Sequence, residues 1–329
     1  MLLPARCLKN AVETIMVKNR IYQLSHEPSI SGGNSAHLPM FSPKLNQMIG
    51  LIIRLLRWDK PTGRLILILP ALWSLVLASG GRPPWDLLVV VVLGAVATSA
   101  AGCVVNDLWD HRLDAQVQRT RQRPLAAKHL PLWVAGVVAA VDLVCAYWLA
   151  RYLNPLGFAL AVLAVPVIVL YPSAKRWFPV PQAVLATAWG FAVLIPWAAV
   201  TGTVTAVTWW LWGAVWCWTL GFDTIYALPD REDDTRLGIY SSARFFGEYT
   251  PLAVAVLLGI TLILLTGVGM ATGLGGFYYL MLGITAVVWG KQVLQLRQIQ
   301  PPSVYGRMFR EQVVTGFLLL LGMLVPPVG

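Results

Sequence analysis

Two stretches of this chain gather carboxylates at a spacing that suits holding a cation. Of the 15 Asp and Glu residues, eight fall in them: Asp107, Asp110 and Asp114, then Asp223, Asp230, Glu232, Asp233 and Asp234. The first stretch reads Asn106-Asp107-Leu108-Trp109-Asp110-His111-Arg112-Leu113-Asp114, so Asn106, Asp110 and Asp114 recur every four residues and share one face of a helix. Asp230 and Asp234 repeat that spacing. Like charges at i and i+4 destabilise a helix by about 0.2–0.5 kcal/mol, and by more where solvent is limited, so a neutralising partner is required. A hard divalent cation fits: Mg²⁺ prefers oxygen ligands, keeps several waters and is commonly held by one or two carboxylates plus substrate phosphates. Two facing clusters would hold a diphosphate between two or more such ions.

Basic residues follow closely. Arg119, Arg121 and Arg123 come just after the first cluster, and Tyr171 stands four residues before Lys175 at the end of an apolar run. Arginine grips phosphate oxygens in a bidentate way, lysine acts as a point charge and a tyrosine hydroxyl donates a hydrogen bond. Any one arginine here is equally well explained by the charge bias of a membrane loop, so the acids carry the weight. Asp107 and Asp233 lie off the shared faces and read as capping or supporting groups. His111 has no second His or Cys near it, which argues against a metal ligand. Cys7, Cys103, Cys145 and Cys217 stand singly and read as structural. Asp142 sits deep in an apolar run and needs a partner or an access path; a hydrogen-bonded structural role and a proton relay are both open.

The elements that position these groups are membrane helices. Hydrophobic residues make up 57% of the 329 residues and charged ones 12%, with a mean hydropathy of +0.66, which points to a bilayer as solvent. Apolar runs of roughly 18 to 22 residues match the bilayer core. They centre on roughly 61–80, 86–105, 131–150, 154–171, 182–200, 207–227, 250–270, 275–295 and 312–328, which makes an all-α polytopic protein of about nine transmembrane helices. A net charge of +10 raises the question of nucleic acid. Its placement excludes that: with the N-terminus inside, the outer connections carry only Arg82 and Arg151, and the remaining Lys and Arg fall on the inner side. Trp85, Trp148, Trp209 and Trp210 mark outer boundaries, and Trp58, Trp109 and Trp177 inner ones. Residues 1–45 lack a long apolar run and a signal-peptide pattern and read as a flexible tail, with one transmembrane domain over 46–329. Two readings from other classes are a cation-coupled transporter, which calls for carboxylates near the midplane of several spans, and a scaffold, which leaves the paired aspartates unexplained.

These residues resemble the UbiA superfamily of intramembrane aromatic prenyltransferases. Gly102 to Asp114 resembles the NDxxDxxxD motif, Arg119-Thr120-Arg121-Gln122-Arg123-Pro124-Leu125 the RTxxRPL continuation, and Tyr171-Pro172 to Lys175-Arg176 the YPxxKR motif. Asp223-Thr224-Ile225-Tyr226-Ala227 through Asp234, with Gly238 to Ala243 in register, resembles the second acidic motif. The resemblance covers roughly residue 50 onward and implies a UbiA-like bundle of nine helices. Trp58-Asp59-Lys60-Pro61-Thr62-Gly63 and the Asp223 segment are most similar to the 4-hydroxybenzoate polyprenyltransferases, including the cyanobacterial branch that supplies plastoquinone. The resemblance implies a Mg²⁺-dependent enzyme that moves a long polyprenyl chain from its diphosphate to an aromatic acid, 4-hydroxybenzoate first, in quinone biosynthesis. It implies metal ligation by Asn106, Asp110, Asp114, Asp230 and Asp234, and substrate binding by Arg119, Arg123, Tyr171 and Lys175. The implied setting is a bacterial plasma membrane with its lipid, the active site facing the cytoplasm. One departure is Ser99, where many 4-hydroxybenzoate enzymes carry an arginine for the acceptor carboxylate; Arg64 is the candidate replacement.

Overall fold

The computed structural model describes residues 43–59 and 62–325, and every regular element in them is helical. The expected tail up to residue 42, Cys7, and Lys60 with Pro61 lie outside the described residues. The helices are α1 (Pro43–Leu55), α2 (Thr62–Ala78), α3 (Trp85–Asp114), α4 (Leu132–Ala150), α5 (Pro155–Leu170) and α6 (Pro181–Thr201). They continue with α7 (Ala206–Ala227), the short α8 (Arg231–Arg236) and α9 (Ser242–Phe246), then α10 (Thr250–Ala271), α11 (Gly276–Gln295) and α12 (Pro302–Leu324).

Six helical segments are long and apolar enough to cross a membrane: Trp85–Asp114, Leu132–Ala150, Pro155–Arg176, Pro181–Thr201, Ser242–Ala271 and Gly276–Gln295. The chain is therefore an all-α polytopic membrane protein. α2 is apolar but has only 17 residues. α7 and α12 are 22 and 23 residues long yet less apolar, because α7 is built on tryptophans and ends near Asp223, while the first half of α12 carries Arg307, Arg310 and Glu311. That polar half also explains why α12 begins at Pro302, well before the apolar run expected over 312–328. α3 likewise overshoots its apolar run and continues to Asp114, which carries the whole first acidic motif on one rigid helix.

Helix starts follow local chemistry. Pro155, Pro181 and Pro302 occupy first turns, where the missing N–H costs nothing. The Asn154 side chain accepts from Gly157 N at 2.8 Å, and Thr205 with Thr208 forms a capping box on α7. α6 stops at Gly202, whose φ of +69° is the left-handed conformation that glycine tolerates.

The core joins α2, α7, α11 and α12 around the fully buried Trp73, Trp218, Tyr278 and Trp289. Lipid adds no hydrophobic drive between helices, so close packing and hydrogen bonds hold them. Trp218 Nε1 donates to Gln312 Oε1 at 2.7 Å, Gln312 Nε2 to Gln292 Oε1 at 2.7 Å, and Trp73 Nε1 to Gly316 O at 2.9 Å. Gly316 lets α12 approach α2 closely, since a Cβ there would stand 2.5 Å from Leu69 Cδ1 and that side chain would have to shift. The seven tryptophans expected at the boundaries, Trp58, Trp85, Trp109, Trp148, Trp177, Trp209 and Trp210, are all exposed.

Candidate active site

α3 delivers Asn106, Asp110 and Asp114 at its last two turns, with Asp110 fully buried and Asp114 nearly so. The chain then runs without long helix to Pro131, and this connection folds back over the acids. Arg123 Nη1 donates to Asp114 Oδ2 at 2.8 Å and to Asp107 Oδ1 at 3.1 Å. Asp107, 1% exposed, is also gripped by Arg57 Nη2 at 2.6 and 2.9 Å. The motif's second residue is thus fully engaged by two guanidinium groups.

The same connection joins the first cluster to the second. Arg119 Nε donates to both oxygens of Asp230 at 3.0 Å, Nη2 contacts Oδ2, and Nη1 donates to Tyr226 Oη at 2.9 Å. Gln118 N donates to Asp233 Oδ2 at 3.4 Å, and Arg236 bridges Asp233 at 2.8 Å and Gln116 O at 2.9 Å. Those bonds to Arg236 and to the Gln118 amide hold the Asp233 carboxyl below the usual carboxylate range.

A third element completes the basin. The 3-10 helix Tyr171–Arg176 sets Lys175 in an ion pair with Asp110, and Arg176 Nη2 3.1 Å from the other Asp110 oxygen. Tyr240 N donates to Lys175 O at 2.9 Å, which ties this turn to the segment after α8. Asp234 hydrogen-bonds Ser241 and feels the charges of Asp230, Lys175 and Arg119. Burial pushes its carboxyl up to about 6 against the Ser241 bond, with Asp230 adding to the rise. Tyr171 is electrostatically close to Asp110, Asp107 and Asp223. The two acidic clusters and the residues Arg119, Arg123, Tyr171 and Lys175 therefore meet in one basin.

Among the described residues no three His, Cys, Asp or Glu side chains form a ready-made metal cage. The donor set still fits Mg²⁺, which needs few protein carboxylates when phosphates supply the rest. Asp110 Oδ2 is buried and accepts no hydrogen bond, although Lys175 stands against it as a charge. His111 Nδ1 lies 2.8 Å from Leu108 O on its own helix.

A cavity of about 450 Å³ begins at Ser99, Cys103 and Tyr171 and runs between α2, α3, α4, α5 and α6 to Val91, Tyr147 and Phe158. Its walls are almost wholly apolar. Along α3 the stretch from Val91 to Cys103 corresponds to roughly 18 Å of helix.

Asp223, Arg176, Tyr226 and Ser241 all fall within stretches that the sequence marked, Asp223 in the second acidic cluster itself, but none of the four was given an individual role at the site. Arg57 was missed altogether, because it acts through a contact 50 residues away and carries no local signal.

A helical membrane fold whose buried carboxylates and phosphate-type bases lie next to Cys103 and Tyr171, at one end of a long apolar cavity, defines an intramembrane enzyme for an amphiphile with an anionic head. Residues 67–320 match the UbiA prenyltransferase family, and the chain belongs to it. It is 57% identical over 275 residues to the 4-hydroxybenzoate solanesyltransferase of Synechocystis sp., a match that covers 83% of this chain and 94% of that one. It is 42% identical over 211 residues to the 4-hydroxybenzoate octaprenyltransferase of Shewanella piezotolerans, covering 64% and 74%. The fold is shared with a UbiA homolog from Aeropyrum pernix, at a TM-score of 0.65 and 23% identity, covering 78% of this chain and 94% of that chain. It is also shared with a UbiA homolog from Archaeoglobus fulgidus bound to GPP and Mg²⁺, at a TM-score of 0.57 and 17% identity, covering 82% and 99%.

Proposed function

We propose that this protein transfers a long polyprenyl chain from its diphosphate to 4-hydroxybenzoate, forming a C-prenylated quinone precursor. The meeting of both acidic clusters in one basin, tied together by Arg119 and Asp230, carries this reading. Asn106, Asp110, Asp114, Asp230 and Asp234 would hold Mg²⁺, which when bound neutralises diphosphate oxygens and stabilises the charge growing on them. Arg119, Arg123 and Lys175 bind the same oxygens, and Tyr171 donates a hydrogen bond where the cavity meets the basin. As the C–O bond breaks, the allylic cation is attacked by the ring carbon beside the acceptor hydroxyl, and that carbon then loses its proton. Apolar walls keep water from the cation and seat the first isoprene units. α2, α7 and α12 join the six apolar segments as spans, giving nine, with the basin on the cytoplasmic side of a bacterial plasma membrane.

Asp110→Ala and Asp234→Ala test the reading. Each is expected to lower turnover in washed membranes by about 10²-fold or more while the protein stays in the membrane fraction. Full activity in either variant, or turnover indifferent to a chelator, contradicts the metal assignment.

A further inference from the structure

Arg64 stands apart from the cations of the basin. It lies in the first turn of α2, is only 8% exposed, and packs its guanidinium 5.5 Å from the centre of the Trp58 ring. Its Nη1 reaches Val96 O on α3 at 3.5 Å, while Nε and Nη2 are buried without a hydrogen-bond partner. Those two nitrogens are the side of the guanidinium that grips a carboxylate with two parallel bonds. On α4, Asp142 has a buried Oδ2 equally without a partner. Arg64 and Asp142 feel each other's charge but form no ion pair, so the forked edge of Arg64 is left unpaired.

A buried guanidinium with unmet donors is expensive, and in a membrane helix such a group marks a ligand or an ion path. The surroundings choose between them. Val96, Ser99 and Cys103 fall three and four residues apart on one face of α3, and Ser99 and Cys103 line the cavity beside Tyr171. Gly63, next to Arg64, and Leu143, next to Asp142, line it too. Arg64 therefore lies directly behind the lining residues at the end of the cavity marked by Ser99, Cys103 and Tyr171, and the next turn of α3 carries Asn106. The helix rises roughly 15 Å from Val96, which Arg64 contacts, to Asn106, so a carboxylate held at Arg64 leaves room for one aromatic ring before the diphosphate end.

We propose that Arg64 binds the carboxylate of the aromatic acid acceptor through Nε and Nη2, and so turns the ring carbon beside the hydroxyl toward the diphosphate. This rests on the 4-hydroxybenzoate reading above. Among the described residues, Arg57, Arg119, Arg123, Lys175 and Arg176 are paired with the acids of the basin, and Arg64 is the one Lys or Arg that is buried without an ion pair.

The test compares the full-length protein with Arg64→Met, Arg64→Lys and Asp142→Asn, using 4-hydroxybenzoate and the uncharged 4-hydroxybenzamide as acceptors. Arg64→Met is expected to raise KM for 4-hydroxybenzoate by about 10- to 100-fold, the loss of a charge-assisted pair. KM for the prenyl diphosphate stays unchanged, and the preference for acid over amide falls by the same factor. Arg64→Lys, which keeps the charge and loses the fork, recovers part of it and serves alone if Arg64→Met does not accumulate. Equal losses with both acceptors in Arg64→Met, reproduced by Asp142→Asn, make Arg64 a structural partner of Asp142 and overturn the proposal. A wild type that prenylates 4-hydroxybenzoate while both Arg64 variants keep its KM overturns the Arg64 role alone. A wild type that prenylates no hydroxybenzoate overturns the reading beneath it as well.

Discussion

A carboxylate must be ionised to hold a cation, and Asp234 meets that requirement only above a certain pH. With its carboxyl pushed up to about 6 by burial, it is half protonated near that pH before any ion arrives. For Asp234 to act as the Mg²⁺ ligand proposed above, that proton has to leave, so apparent Mg²⁺ affinity should fall by about tenfold per pH unit below roughly pH 6 and level off above it. Mg²⁺ activation curves recorded across pH check this. The Ser241 bond favours the charged form, so Ser241→Ala should move the inflection to higher pH. An inflection that stays put or moves down would count against Asp234 as the titrating ligand.

At the scale of elements, the helix tip bearing the acids is anchored by α1 through Arg57. That residue closes the turn after α1 in a left-handed conformation, φ +59°, with Trp58 N bonded to Ile53 O at 2.9 Å, and this aims its guanidinium at Asp107. Asp107→Ala would leave Arg57 and Arg123 facing a vacated, mostly buried site. A loss of about 2–4 kcal/mol is expected, toward the low side of buried-pair losses because the guanidinium groups are one-fifth exposed. Arg57→Ala should cost less, since Arg123 still pairs with Asp107. Thermal unfolding in detergent measures both, and equal losses would show that Arg57 alone carries the anchor. The acids themselves were legible in the sequence, because the spacing of Asn106, Asp110 and Asp114 is a local property of one helix. The anchor was not: Arg57 and Asp107 are 50 residues apart, and Arg119 and Asp230 are 111 apart, so only tertiary packing brings them together. The long apolar helices were legible through lipid's demand for internally bonded backbone, whereas the polar start of α12 depends on its packing against α11 through Gln292 and Glu311.

Across the whole molecule, charge and grease are sorted to opposite ends of one path. The paired ions of Arg57, Arg119, Arg123, Lys175 and Arg176 sit at the basin, and the apolar cavity leads away from them along α3. A volume of about 450 Å³ holds a drug-sized ligand, so a long polyprenyl tail has to continue from it into lipid. Gly94 lies on that route: it lines the cavity less than one turn from Val91 on the basin side, and an added Cβ there would meet nothing within 4 Å. A phenylalanine at this position has room for its Cβ and would plug the path toward its far end, about 13 Å of helix from Cys103. Gly94→Phe should therefore lower kcat/KM for solanesyl diphosphate by about tenfold or more, as an overfilled apolar site rejects a tail it cannot pass. Geranyl diphosphate, which ends before the plug, should keep its rate. Competition between the two diphosphates in washed membranes, with products separated by mass, reads this directly, and an equal loss for both would place the tail elsewhere in the bundle.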